Sequence, residues 1–263
     1  MAERRAAPIR VMLVDSHLIY RRGLAEMLKQ FEDLAVVAEA SSAASAAVRA
    51  RKTQPQVVLL GDEVSDSDLP DAVHTILSAA PDAAVALLAE RFDESVFAAV
   101  RAGALGYFFK TAGMQWLHDG VYGLSRGGTA VTPLLAGRIL DELGRFGAWR
   151  SGFGAWWGAL SDREFAILRY VDNGWSTDRI AEKLEITPYM VQALLRATLD
   201  VLHHLSPGPD DDGGDFSGDR APRPRPGGSP VRVASVALPL PEPEQTPLPG
   251  WLVRAFPDGF PQE

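Results

Sequence analysis

The chain contains no cysteine, which excludes disulfides and thiolate metal sites. No apolar run approaches the roughly 18 residues that a membrane span requires. The opening MAERRAAPIR lacks the apolar core of a secretory signal. Positive charge is in deficit: 26 Lys and Arg stand against 34 Asp and Glu, a net charge of −8. A whole-chain basic excess, the usual footprint of nucleic-acid binding, is therefore absent. A Gly-rich phosphate loop, a nucleophile spaced to a base and a metal-ligand cluster are also missing, and five scattered histidines do not make one. These absences lead to the expectation of a cytoplasmic protein that is not an enzyme and has no cofactor.

What is present reads as about two domains in 263 residues, with a 46% hydrophobic content that can supply real cores. Up to residue 127, short apolar runs alternate with helix-like stretches. Strands are expected at 9–14, 34–39, 57–60, 84–88 and 105–109, and helices at 18–31, 42–52, 71–79, 94–101 and 114–125. Five strand–helix pairs at this spacing imply right-handed crossovers and a doubly wound, five-stranded parallel sheet. Ligand sites in such sheets lie at the carboxyl ends of the strands. Asp15, Gly61, Ala89 and Lys110 fall at those ends.

Three segments, VMLVDSH at 11–17, PQVVLLGD at 55–62 and GYFFKTAG at 106–113, carry a family likeness. Together they resemble the receiver domain of two-component response regulators. The resemblance implies an acceptor aspartate six residues after the proline that opens the third strand; counted from Pro55, that residue is Gly61. It implies two acids after the first strand that bind Mg²⁺ together with the acceptor, where this chain has Asp15 and Ser16. It implies a phosphoryl-binding hydroxyl at the end of the fourth strand, where Ala89 stands, and a lysine after the fifth, which Lys110 keeps. A hard cation needs several oxygens close together, so no Mg²⁺ affinity and no autophosphorylation are expected. Lys110 is expected to pair with Asp15. Asp62 is an unlikely substitute acceptor, because a one-residue shift at a strand end turns the side chain away. Asp66 and Asp68 read as solvated loop acids before the third helix, and Tyr107, at the aromatic switch position, as half-buried.

Residues 128–159 read as a linker, with a possible helix at 133–143 and a Gly/Trp-rich stretch. The segment 160–205 is helical again. Ser161 with Glu164 fits a capping box, Gly174 a helix end, and Ser176 and Thr187 two further caps, with Val191 as a core valine. In order and spacing this resembles the LuxR-type helix-turn-helix that follows receivers in the NarL/FixJ family. The resemblance implies transcription regulation through DNA, with contacts carried onto Thr187, Gln192, Ala193 and Arg196. It departs from that pattern in charge: residues 160–203 hold five Lys/Arg and seven Asp/Glu. Neutralising phosphates supplies most non-specific affinity, so DNA binding is expected to be weakened. The alternative is a protein-interaction regulator with a degenerate DNA-binding domain, pairing with an intact relative; Leu194 and Leu195 are its candidate docking surface. Either reading implies a homodimer, or a heterodimer with a related regulator. His203 and His204 read as polar residues at a helix end, and Trp149, Trp156, Trp157 and Trp175 as packing at the domain junction. Residues 206–263, which hold most of the 19 prolines, read as a disordered Pro/Gly-rich tail with two short apolar islands.

Overall fold

The computed structural model describes residues 7–149 and 160–205. Five strands, β1 (Ile9–Val14), β2 (Leu34–Ala40), β3 (Val57–Gly61), β4 (Ala84–Ala89) and β5 (Tyr107–Phe109), form one parallel sheet in the order β2-β1-β3-β4-β5. Helices α1 (Leu18–Leu28), α2 (Ala43–Thr53), α3 (Leu69–Ala79), α4 (Glu94–Arg101) and α5 (Met114–Ser125) alternate with them. The strands are apolar at nearly every position because both faces are covered. Met12, Val14, Val58, Leu60, Val85 and Leu87 point to the layer that holds α2, α3 and α4. Val11, Leu13, Val57, Leu59, Ala86 and Leu88 point to the layer of α1 and α5. The strand order reverses between β1 and β3, so their carboxyl ends open the crevice where such folds take ligands.

Loop acids fix the helix starts. Asp68 caps α3, accepting from the Asp71 amide at 2.9 Å. Asp66 is exposed before α3, as expected, and also accepts from the Ala43 and Ala44 amides at the start of α2, 2.7 and 3.1 Å away. The Ala44 amide leads the causes that hold its pKa below the ordinary aspartate value.

The fifth strand is shorter than its sequence suggests. Gly106 has φ +140°, and a Cβ there would lie 2.1 Å from the Ala130 carbonyl oxygen. That carbonyl accepts from the Tyr107 amide and the Ala130 amide donates to the Leu105 carbonyl, so the connector runs along the β5 edge. It continues into α6 (Pro133–Trp149), longer than the helix expected at 133–143. Arg138 of α6 reaches Glu94 and Glu142 at 2.9 Å each and lies over the Phe97 ring of α4.

Three more helices follow: α7 (Asp162–Asp172), α8 (Thr177–Lys183) and α9 (Pro188–Leu205). Ser161 and Glu164 form a reciprocal capping box, Ser176 caps α8 through the Arg179 amide, and Thr187 caps α9 through the Met190 amide. Ile180, Leu184, Val191, Leu194, Leu195 and Leu199 fill the core between them. Leu194 and Leu195 are thus packed inside and offer no surface to a partner. Trp175 stacks on Tyr170 with ring centres 4.6 Å apart, and the Arg179 guanidinium covers it. Trp156, Trp157, the side chain of Trp149 and the whole of 206–263, with its expected disorder and apolar islands, lie outside the described residues. Among the described residues no helix is long and apolar enough to cross a membrane.

One histidine ties distant parts of the sheet layer together. His118 on α5 stacks on Phe31, with its Nε2 3.0 Å from Asp33 and its Nδ1 3.1 Å from Asp119. Burial opposes its charge, but the two carboxylates outweigh burial and raise its pKa above the usual histidine value. A raised folded-state pKa gives stability that is full below the unfolded value and is lost as pH rises through the folded one. His118→Gln is therefore expected to lower the urea midpoint at pH 5.5 and to have little effect at pH 9. Equal losses at both values would remove the ionic part of this account.

Candidate functional site

The pocket at the ends of β1, β3 and β5 is built around a single ammonium group. Lys110 Nζ lies 2.9 Å from Asp15 Oδ2 and 2.6 Å from Asp62 Oδ1. Its backbone is fixed as well, the Lys110 amide donating to the Ala89 carbonyl at 2.8 Å. The side chains of Asp15 and Lys110 are only 4% and 9% exposed, and that of Asp62 is 22% exposed. Burial disfavours the ammonium, yet hydrogen bonds to Asp62 and Asp15, with their charges, hold the Lys110 pKa above the ordinary lysine value. The Tyr20 ring lies 4.8 Å from the ammonium, and burial, partly offset by Lys110, pushes its hydroxyl up to about 12.

Asp15 is pinned from other sides too. Its Oδ1 accepts from the His17 amide at 2.7 Å, and its carbonyl accepts from Arg21, which also pairs with Glu39. The carboxylate occupies the space next to Gly61: a Cβ at that residue would sit 2.0 Å from Asp15 Oδ2 and 2.6 Å from its Cγ. The glycine is thus required by a neighbouring side chain rather than by its backbone conformation.

Asp62 differs from its expectation. The residue stays in register with β4, its amide donating to the Leu88 carbonyl at 2.9 Å. Its carboxylate nevertheless turns into the pocket, with Oδ1 on Lys110 and Oδ2 accepting from the Glu90 amide at 2.8 Å. The alternation argument treats the strand as continuing, but β3 ends at Gly61 and the next side chain is free to swing toward the loop after β4. Ser16 and Ala89 add no carboxylate. These residues do not fit a Mg²⁺ ion, because an ammonium already takes the oxygens a cation would use. Among the described residues no three His, Cys, Asp or Glu side chains are grouped to hold a metal.

Tyr107 is fully buried rather than half-buried. It packs against Phe92 and Phe109 with ring centres 4.9 and 5.2 Å away, and burial pushes its hydroxyl up to about 12.

The four residues expected to meet DNA lie on α9 or at its cap. Thr187 and Ala193 are exposed on the first turns of α9. The Arg196 side chain is 38% exposed and lies 3.5 Å from Asp200, one turn on. Gln192 is engaged within the chain: its Oε1 accepts from the Thr129 amide and hydroxyl at 2.9 and 3.1 Å, and its Nε2 donates to Thr177 at 3.3 Å. His203 lies in the last turn of α9, the helix end where it was expected. It is part-buried where α9 meets α4, facing the backbone of Ala104 and Val100, and desolvation lowers its pKa.

No family model matches the chain. It is 30% identical over 180 residues to the transcriptional regulatory protein LiaR of Bacillus subtilis, an alignment that covers 68% of this chain and 83% of that protein. It is 29% identical over 199 residues to the nitrate/nitrite response regulator protein NarP of Escherichia coli, covering 75% and 90%. A crystal structure of a LuxR-family two-component response regulator from Aurantimonas sp. SI85-9A1 is 28% identical, covering 52% of this chain and 98% of that one with a TM-score of 0.47.

Proposed function

The chain belongs to the NarL/LuxR family of response regulators, and from that premise we propose that it is a DNA-binding transcription regulator whose receiver works without aspartyl phosphorylation. The observation that carries the second half is the ion pair between Lys110 and two carboxylates beside Gly61. No carboxylate stands at the acceptor position. The two that are present already exceed their one ammonium by one charge, so a phosphoryl group would add anion to a site in anionic surplus. On this reading the receiver spans 8–127, a linker 128–159, the helix-turn-helix domain 160–205 and a tail 206–263. The protein is cytoplasmic, acts as a homodimer or with a related regulator, and performs no catalysis.

DNA contact is assigned to Thr187, Ala193 and Arg196, with Gln192 joining only if its bonds to Thr129 are released. Fluorescence anisotropy on DNA from upstream of its own gene tests this. Affinity is expected to be the same with and without acetyl phosphate. Arg196→Ala is expected to weaken binding by about 1–3 kcal/mol, and its salt dependence should fall. Asp200→Asn frees that guanidinium and removes a like charge facing the phosphates, so it is expected to tighten binding about two- to fivefold at low salt. If both variants bind like wild type, α9 is not the DNA-reading helix.

The second reading is a protein-interaction regulator that pairs with an intact relative, and the acid excess of residues 160–203 favours it. Leu194 and Leu195 no longer support it, since both are buried. Retention on DNA-cellulose at low salt separates the two: the first reading expects retention and the second expects flow-through.

A further inference from the structure

Asp62 joins three parts of the receiver. Its carboxylate starts at the end of β3, takes the Lys110 ammonium after β5 on one oxygen and takes the Glu90 amide after β4 on the other. Glu90 follows Ala89, the position that the family likeness gives to a phosphoryl-binding hydroxyl. An alanine cannot donate, but the next backbone amide can, and it does so to Asp62. A lysine and an amide converging on one anion between β3 and β4 are the donors that a phosphoryl group at residue 61 would otherwise need.

We propose that Asp62 is a built-in substitute for the phosphoryl group itself: a fixed carboxylate that closes Lys110 and the Glu90 amide on one anion and so holds the β4–α4 loop in its anion-bound arrangement permanently. Asp62 is here a positioning residue and not an acceptor. Both of its oxygens are occupied, and the charge that a working receiver acquires by phosphorylation is supplied by the sequence. The loop it holds leads through the Asp93 cap into α4. That helix carries α6 through Glu94 and Arg138, and α9 packs against it. The anion therefore fixes the base on which the DNA-reading helices rest. The proposal deepens the phosphorylation-independent reading and rests on it for its biological meaning, although its physical content is separate.

The test is amide hydrogen exchange on the full chain, read over residues 86–101. Asp62→Asn keeps the shape and removes the charge. It is expected to speed exchange of the Glu90 amide and the loop roughly tenfold or more, the scale of one charge-assisted hydrogen bond, while the β1 and β3 amides stay protected. Asp62→Gly then leaves a carboxylate-sized gap that a shallow opening lined by Glu63, Glu90 and Ser95 connects to solvent. Sodium acetate titrated into that variant is expected to restore slow exchange in a saturable way, and sodium chloride at equal ionic strength is not. A side chain that merely filled space would not be replaced by a dissolved anion. Unchanged exchange in Asp62→Asn, or loosening in Asp62→Gly that acetate does not reverse, overturns the proposal. Phosphoryl uptake by wild type would overturn the phosphorylation-independent reading instead, and leaves this exchange result to be judged on its own.

Discussion

Lys110→Met is expected to lower the stability of the described receiver by about 3–5 kcal/mol, the largest loss from any single side chain in the pocket. The reason is the asymmetry of buried charge. Asp15 and Asp62 have been taken largely out of water, and Lys110 Nζ at 2.9 and 2.6 Å is the cation that compensates both. Methionine keeps the apolar stem and removes the charge, leaving two carboxylates that repel each other. Urea unfolding read by fluorescence measures the loss. The companion variant Lys110→Met with Asp15→Asn and Asp62→Asn is expected to recover most of it, because the cost lies in the uncompensated anions and not in missing bonds. If Lys110→Met alone unfolds at the wild-type midpoint, the carboxylates are solvated and the pocket is not closed as described.

Gly61→Ala is expected to cost about 1–3 kcal/mol, an uncommon penalty for the smallest possible addition. The new methyl would meet Asp15 Oδ2 at 2.0 Å and its Cγ at 2.6 Å. Asp15 cannot simply rotate, since its other oxygen holds the His17 amide and rotation breaks the contact with Lys110. A double-mutant cycle isolates this. In an Asp15→Ala background, Gly61→Ala is expected to be close to neutral, giving a coupling of roughly 1–3 kcal/mol. Additive losses would place the strain elsewhere. It follows that Gly61→Asp does not recreate an acceptor by itself: the larger side chain meets the same carboxylate and adds a third negative charge to one ammonium.

How much of this was legible beforehand follows from the range of the interactions. The sheet was readable because each strand is a short apolar run and its partners obey general topology rules. The caps at Ser161, Ser176 and Thr187 were readable because a cap and its amide are three residues apart. That a glycine stands six residues after Pro55 was readable from a count along one strand. What sequence could not supply were contacts between residues far apart. Gln192 meets Thr129 across 63 positions, and His118 meets Asp33 across 85. That His203 at the end of α9 packs toward α4 was likewise out of reach of the sequence. Asp62 was misjudged for a different reason. Alternation governs a side chain inside a strand, whereas Asp62 is the first residue beyond one, and a cation and a free amide lay within its reach. The −8 charge of the whole chain also hid a local fact, since the anionic surplus that matters is the one around Lys110.

The most direct measurement is intact-protein mass after incubation of the full chain with acetyl phosphate and Mg²⁺, and separately with a phosphorylated histidine kinase. The account predicts an unchanged mass in both, for wild type and for Asp62→Ala alike. An acid-stable, base-labile gain of one phosphoryl group that maps to any aspartate in residues 7–127 would contradict it.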